Sequence, residues 1–118
     1  MTLFAVLKEP HMALGIMYHP KLYLGGSIQE EKLDRIKKRL EKRPVFSGVF
    51  LVSLSRNAYD QLEIYEAKQL CQSYYQKYPP YVVGIAGNRE EALQLVEQIV
   101  TECLRERGDC ALKEYLRC

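Results

Sequence analysis

Two short runs, Gly48–Leu54 (GVFLVSL) and Tyr81–Ala86 (YVVGIA), are almost wholly apolar and rich in β-branched residues. Each is followed by a long stretch of helical periodicity. A strand of that composition suits burial on both faces, the usual condition of a parallel sheet covered by helices. Strands alternating with long helices imply crossover connections rather than hairpins. The expected fold is therefore an α/β three-layer sandwich. A small, mostly parallel sheet is flanked by three helices, and the N-terminal strands are free to run antiparallel.

At 118 residues the chain fits one domain, 1–118. A core of that size needs no metal or disulfide staple. Hydrophobic residues make up 47% and charged residues 27%, which argues against disorder. Cys71, Cys103, Cys110 and Cys118 form no CxxC pair, and the chain reads as one from a reducing, cytoplasmic compartment. Met1–Leu7 is apolar but lacks a cationic leader. The run Val45–Leu54 is about half as long as a bilayer-spanning helix. Neither export nor a membrane is expected.

Three apolar segments open the chain as candidate strands: Leu3–Leu7, Met12–Tyr18 and Leu22–Leu24. Pro10 and Pro20 argue against a helix through them. Ser27-Ile28-Gln29-Glu30 has the form of a capping box and opens a helix that Pro44 stops. After the Gly48–Leu54 strand, Asn57 is placed to cap a long helix to Lys77, carrying Leu62, Tyr65, Leu70, Cys71, Tyr74 and Tyr78 at helical spacing. Asn88 caps a helix over Arg89–Arg107, with Ala92, Leu93, Val96, Ile99, Val100, Cys103 and Leu104 as its apolar face and Gly108 as its left-handed stop. The tail, 109–118, fits an edge strand and a final helical turn equally well.

In a parallel sheet, ligands bind beyond the carboxyl ends of the strands. Three loops meet that description: Gly25-Gly26-Ser27, Ser55-Arg56-Asn57 and Gly87-Asn88-Arg89. If their strands run in one direction, Ser27, Arg56, Asn57, Asn88 and Arg89 converge on one end of the sheet. There helix N–H groups and two guanidiniums could hold a phosphate or carboxylate. The same residue types also serve simply to start helices. Gly84-x-x-Gly87 falls short of a dinucleotide fingerprint, and no Walker lysine is present.

Other chemistries find little support. His11 and His19 are the only histidines, there is no GxSxG elbow, and the cysteine spacings match no zinc site. No catalytic residue, metal or cofactor is assigned. The reading is of a small-ligand-binding or protein-interaction module, leaning away from catalysis.

A rival signal lies between Lys32 and Arg43. Seven basic residues against two acidic ones leave that segment at +5 and the remainder near −3. In the alternative reading, Lys32, Arg35, Lys38, Arg39 and Lys42 lie along nucleic-acid phosphates. Asp34 and Glu41, with i,i+4 basic partners, favour a solvated face instead. Of nine tyrosines, Tyr74, Tyr75 and Tyr78 are candidates for a homodimer surface, a role balanced against filling a core rim.

Overall fold

The computed structural model describes residues 15–42 and 48–117. In chain order it contains β1 (Met17–Leu24), α1 (Leu33–Lys42), β2 (Phe50–Leu54), β3 (Leu62–Glu66), α2 (Ser73–Lys77), β4 (Tyr81–Ala86), α3 (Arg89–Arg107) and α4 (Leu112–Arg117). Short 3-10 turns at Glu30–Lys32 and Ala67–Cys71 precede α1 and α2. The candidate strand Leu3–Leu7 lies outside the described residues.

The strands form one sheet in the order β1-β4-β2-β3. Only β1 and β4 are parallel; β2 is antiparallel to both β4 and β3. The expectation of a mostly parallel sheet is thus corrected to a mixed one within an α/β fold.

The reason lies in residues 57–77. These were expected to form a helix capped by Asn57, but Leu62–Glu66 pairs with β2 along its whole length, from Phe50↔Glu66 to Leu54↔Leu62. The buried β2 backbone has N–H and C=O groups on both edges, and each needs a partner. β4 supplies one edge and β3 the other. The alternation in Leu62-Glu63-Ile64-Tyr65 fits this, because Leu62 and Ile64 pack on one face of the sheet and Tyr65 on the other. What remains of the expected helix is a 3-10 turn and the five residues of α2. Cys71, grouped with the apolar positions of that helix, is exposed.

Apolar side chains cover both faces of the sheet. On one face Val52, Leu54, Val83 and Ala86 meet Leu95, Ile99 and Cys103 of α3 and Leu112 and Leu116 of α4. On the other, Leu51, Val82 and Ile85 meet Leu40 of α1 together with Ala67 and Leu70. Val83 is an extra residue in the β2–β4 ladder, where Val52↔Gly84 is followed by Ser53↔Val82. A Cβ on Gly84 would stand 3.0 Å from Leu95 Cδ1, so this glycine lets α3 close on the strand. Gly84 therefore serves packing.

β1 runs straight through His19-Pro20, joining the end of the candidate strand Met12–Tyr18 to Leu22–Leu24, and its pairing skips between Tyr18 and Tyr23. Proline is tolerated there because β1 is an edge strand. The helix after Ser27 begins later than expected, since Gly25 O accepts from Ile28 N–H (3.0 Å) in a turn. On α3, Asn88 and Gly108 act as foreseen: Asn88 Oδ1 accepts from Glu91 N–H at 2.8 Å, and Gly108 has φ 82°. The apolar face is rotated from expectation, with Leu95 buried and Leu93 and Leu104 exposed. The tail is helical. No helix among the described residues is long and apolar enough to cross a membrane.

Candidate functional site

Because β2 is antiparallel to β4, the three candidate loops do not converge. Ser27, Asn88 and Arg89 lie beyond the carboxyl ends of β1 and β4. Arg56 and Asn57 follow the carboxyl end of β2, beside the amino ends of β1 and β4, as the pairings Met17↔Tyr81 and Ser53↔Val82 require.

At the first end the chain supplies its own anion. Glu91 Oε1 accepts from Gly87 N–H and from the Ser27 hydroxyl, each at 2.9 Å. The Gly87 N–H bond holds the Glu91 carboxyl below its usual range; partial desolvation opposes this and the Ser27 hydroxyl adds to it. The loops approach closely enough that a Cβ on Gly25 would stand 3.1 Å from Ala86 Cα and press on Glu91, and one on Gly87 would strike Ser27 Oγ. Ser27, Glu91, Gly25 and Gly87 therefore join β1 to the start of α3. Of the N–H groups at this helix start, those of Gly87 and Glu91 are already engaged, by Glu91 and Asn88. Arg89 is exposed at the edge of this junction.

The other end holds a cleft of about 370 Å³. Its walls are Met17, Leu54, Pro79, Pro80 and Tyr81, with Ser55, Arg56 and Arg117 contributing polar groups. Arg56 Nη2 donates to Pro79 O at 3.3 Å, and its guanidinium lies 5.2 Å from the centre of the Tyr78 ring. Behind Tyr78 runs a ladder of rings. Tyr74 lies 5.3 Å from Tyr78, Tyr75 lies 5.1 Å from Tyr74, and Tyr75 stacks on buried Tyr65 at 5.1 Å. The tyrosines assigned to an interface thus pack largely on one another, although Tyr74 and Tyr78 keep 46% and 42% of their surface exposed.

Asn57 caps a turn instead of a helix. Its Oδ1 accepts from Tyr59 N–H (2.9 Å) and Asp60 N–H (2.6 Å). The β2–β3 loop shaped in this way is strapped to the corner between α3 and α4. Gln61 Nε2 donates to Cys110 O (2.8 Å), Gln61 Oε1 accepts from Leu112 N–H (2.6 Å), and Lys113 Nζ donates to Asn57 O (2.8 Å). On the corner itself, Arg107 bonds Asp109 at 3.0 Å and Glu114 at 2.8 Å. These straps hold α4, whose Arg117 lines the same cleft as Arg56. Neither guanidinium has an acidic partner among the described residues.

Arg117, Gln61 and the Pro79-Pro80 wall escaped sequence reasoning. Arg117 sits in a tail whose helical turn follows only from docking, and glutamine in a loop carries no local signal. A second hollow, of about 450 Å³, is an open trough on the solvent side of α3 lined by Gln94, Glu97, Gln98, Thr101, Glu102 and Arg105. It offers no apolar wall.

On the remaining surface, Lys32, Arg35, Lys38, Arg39 and Lys42 are all exposed, while Lys37 folds back 4.7 Å above the Tyr18 ring. No cluster of three or more His, Cys, Asp or Glu side chains suited to a metal occurs among the described residues. No family model, curated protein or solved structure matches the chain.

Proposed function

We infer that the chain is a small-ligand-binding module whose site is the cleft between Arg56 and Arg117 and whose ligand carries a carboxylate or phosphate. One observation carries this reading: two guanidiniums from separate elements line a cleft that is otherwise mainly apolar, and neither is ion-paired with an acid among the described residues. Its volume falls within the range of small-molecule pockets, roughly 300–1,000 Å³. Charge-assisted bonds from arginine are the strong ones, worth about 1.5–3 kcal/mol each.

The test is thermal melting of the full chain with a panel of small carboxylates and phosphates, repeated on Arg56→Ala and Arg117→Ala. A ligand at 100 times its Kd adds about 2.7 kcal/mol to stability, a shift that melting reads easily. Stabilisation that disappears in both variants supports the site. No stabilisation by any anion, or stabilisation that survives both substitutions, overturns it.

A second reading rests on the exposed basic side of α1, where Arg35, Lys38, Arg39 and Lys42 follow helical spacing. A nucleic-acid contact there predicts affinity that falls steeply with salt and weakens in the double variant Arg35→Ala, Lys38→Ala. Salt-independent or absent binding removes that reading.

A further inference from the structure

Resting on the anion site above, we propose that the ligand is an apolar organic acid, an aryl or branched short-chain carboxylate, and not a sugar phosphate or nucleotide. The reasoning turns on which polar groups of the cleft remain free. Pro79 O accepts from Arg56 (3.3 Å), and Pro80 O accepts from Met17 N–H (3.1 Å). Ser55 N–H donates to Gln61 O (3.0 Å), and the Ser55 hydroxyl donates to Glu63 (3.2 Å) while accepting from Asn57 N–H (3.2 Å). Proline nitrogens have no hydrogen to give. Among the described residues the wall therefore offers an incoming molecule mainly hydrocarbon and guanidinium, with the Tyr81 hydroxyl beside them.

A sugar brings several hydroxyls. Each one desolvated without a partner costs about 1–3 kcal/mol, so a polyhydroxylated body loses more than its phosphate gains. An aromatic or branched aliphatic body has no such groups and fills the space beside Leu54 and Pro80. At about 370 Å³ the cleft suits a single ring with its acid group. Arg56 spends one of its five N–H donors on Pro79 and lies 5.2 Å from the Tyr78 ring centre, so four donors remain for a carboxylate. Met17, 60% exposed at the mouth, is a flexible thioether able to lie over an apolar guest.

The experiment is calorimetric titration of the full chain with benzoate, 4-methylpentanoate, benzamide, inorganic phosphate and ribose 5-phosphate. Benzoate and 4-methylpentanoate are expected to bind, with benzamide more than about tenfold weaker because it lacks the charge. Met17→Ser, a change at an exposed position, is expected to weaken benzoate about three- to fivefold and leave phosphate unaffected. Ribose 5-phosphate binding as tightly as benzoate, with the same loss in Arg56→Ala, overturns the ligand class and leaves the anion site standing. So does benzamide binding as well as benzoate, or a Met17→Ser variant with unchanged benzoate affinity. Failure of every anion to bind in an arginine-dependent way removes the site itself, and the ligand class with it.

Discussion

At the carboxyl ends of β1 and β4, a helix start, two glycines and a serine are closed around the chain's own Glu91 carboxylate. At the opposite end of the same sheet, Arg56 and Arg117 line a cleft and neither is ion-paired with an acid among the described residues. The first end has the features usually associated with anion binding, namely glycine, N–H groups and a helix dipole. Yet the Gly87 and Glu91 N–H groups and the Ser27 hydroxyl are engaged within the chain. The second lacks those features and has its charges uncompensated. A positive helix end therefore marks a ligand site only where the protein has not already placed an acid on it.

The largest effect that would break this contrast is expected at Gly25. Alanine there presses on Ala86 and Glu91 and should cost about 2–3 kcal/mol of unfolding free energy, measured by denaturant melts. A neutral Gly25→Ala would mean that the first end is roomier than described and open to a guest.

Gln61→Ala comes next, at about 1–2 kcal/mol, because it removes both Gln61 bonds to the α3–α4 corner and leaves Cys110 O and Leu112 N–H bonded only to each other (2.9 Å). It should also weaken anion binding, since it frees the helix that carries Arg117. Ser27→Ala removes the corresponding strap at the other end and should reduce stability alone. Equal effects of the two variants on affinity would erase the distinction between the ends.

Acid sharpens the contrast further. Glu91 is held below its usual value of 4.5 chiefly by Gly87 N–H, and Glu102 chiefly by the Tyr23 hydroxyl at 2.7 Å. A carboxyl whose folded pKa is depressed contributes stability that is complete above its unfolded value and is lost as pH falls through the folded one. The melting temperature should therefore decline as pH drops below about 4.5, and Glu91→Gln should flatten that decline. A variant that keeps the full acid dependence would show that the Glu91 junction is not what titrates. The smallest effect belongs to Arg117→Ala, whose exposed side chain should change stability by less than about 0.5 kcal/mol while abolishing anion binding. A large loss of stability would recast Arg117 as structural.

Much of the fold was legible because its signals are local. β4 spans Tyr81–Ala86 and α3 spans Arg89–Arg107 as expected, bounded by Pro80, Asn88 and Gly108. Residues 57–77 misled because Leu62, Tyr65 and Tyr78 fit helical spacing while Leu62, Ile64 and Tyr65 fit a strand, and periodicity cannot arbitrate between them. The contact that decides lies across β2. Half of the candidate site failed with that segment, since a hairpin at 55–61 reverses β3 on β2 and leaves Arg56 at the far end of the sheet from Asn88. Arg56 survives as a site residue with a different partner, Arg117, in place of Arg89.

What the sequence determined by itself was the class of element wherever a cap, a proline or an unbroken apolar run acts within a few residues. Strand direction was left to the tertiary structure, because it depends on which edge of β2 still has unpaired N–H and C=O groups when Leu62–Glu66 arrives. So was the fate of each charge. Glu91 is hydrogen-bonded within the chain and Arg117 has no acidic partner among the described residues, because hydrogen bonds between segments 64 residues apart (Ser27 to Glu91) and 51 apart (Gln61 to Leu112) set where those side chains end up.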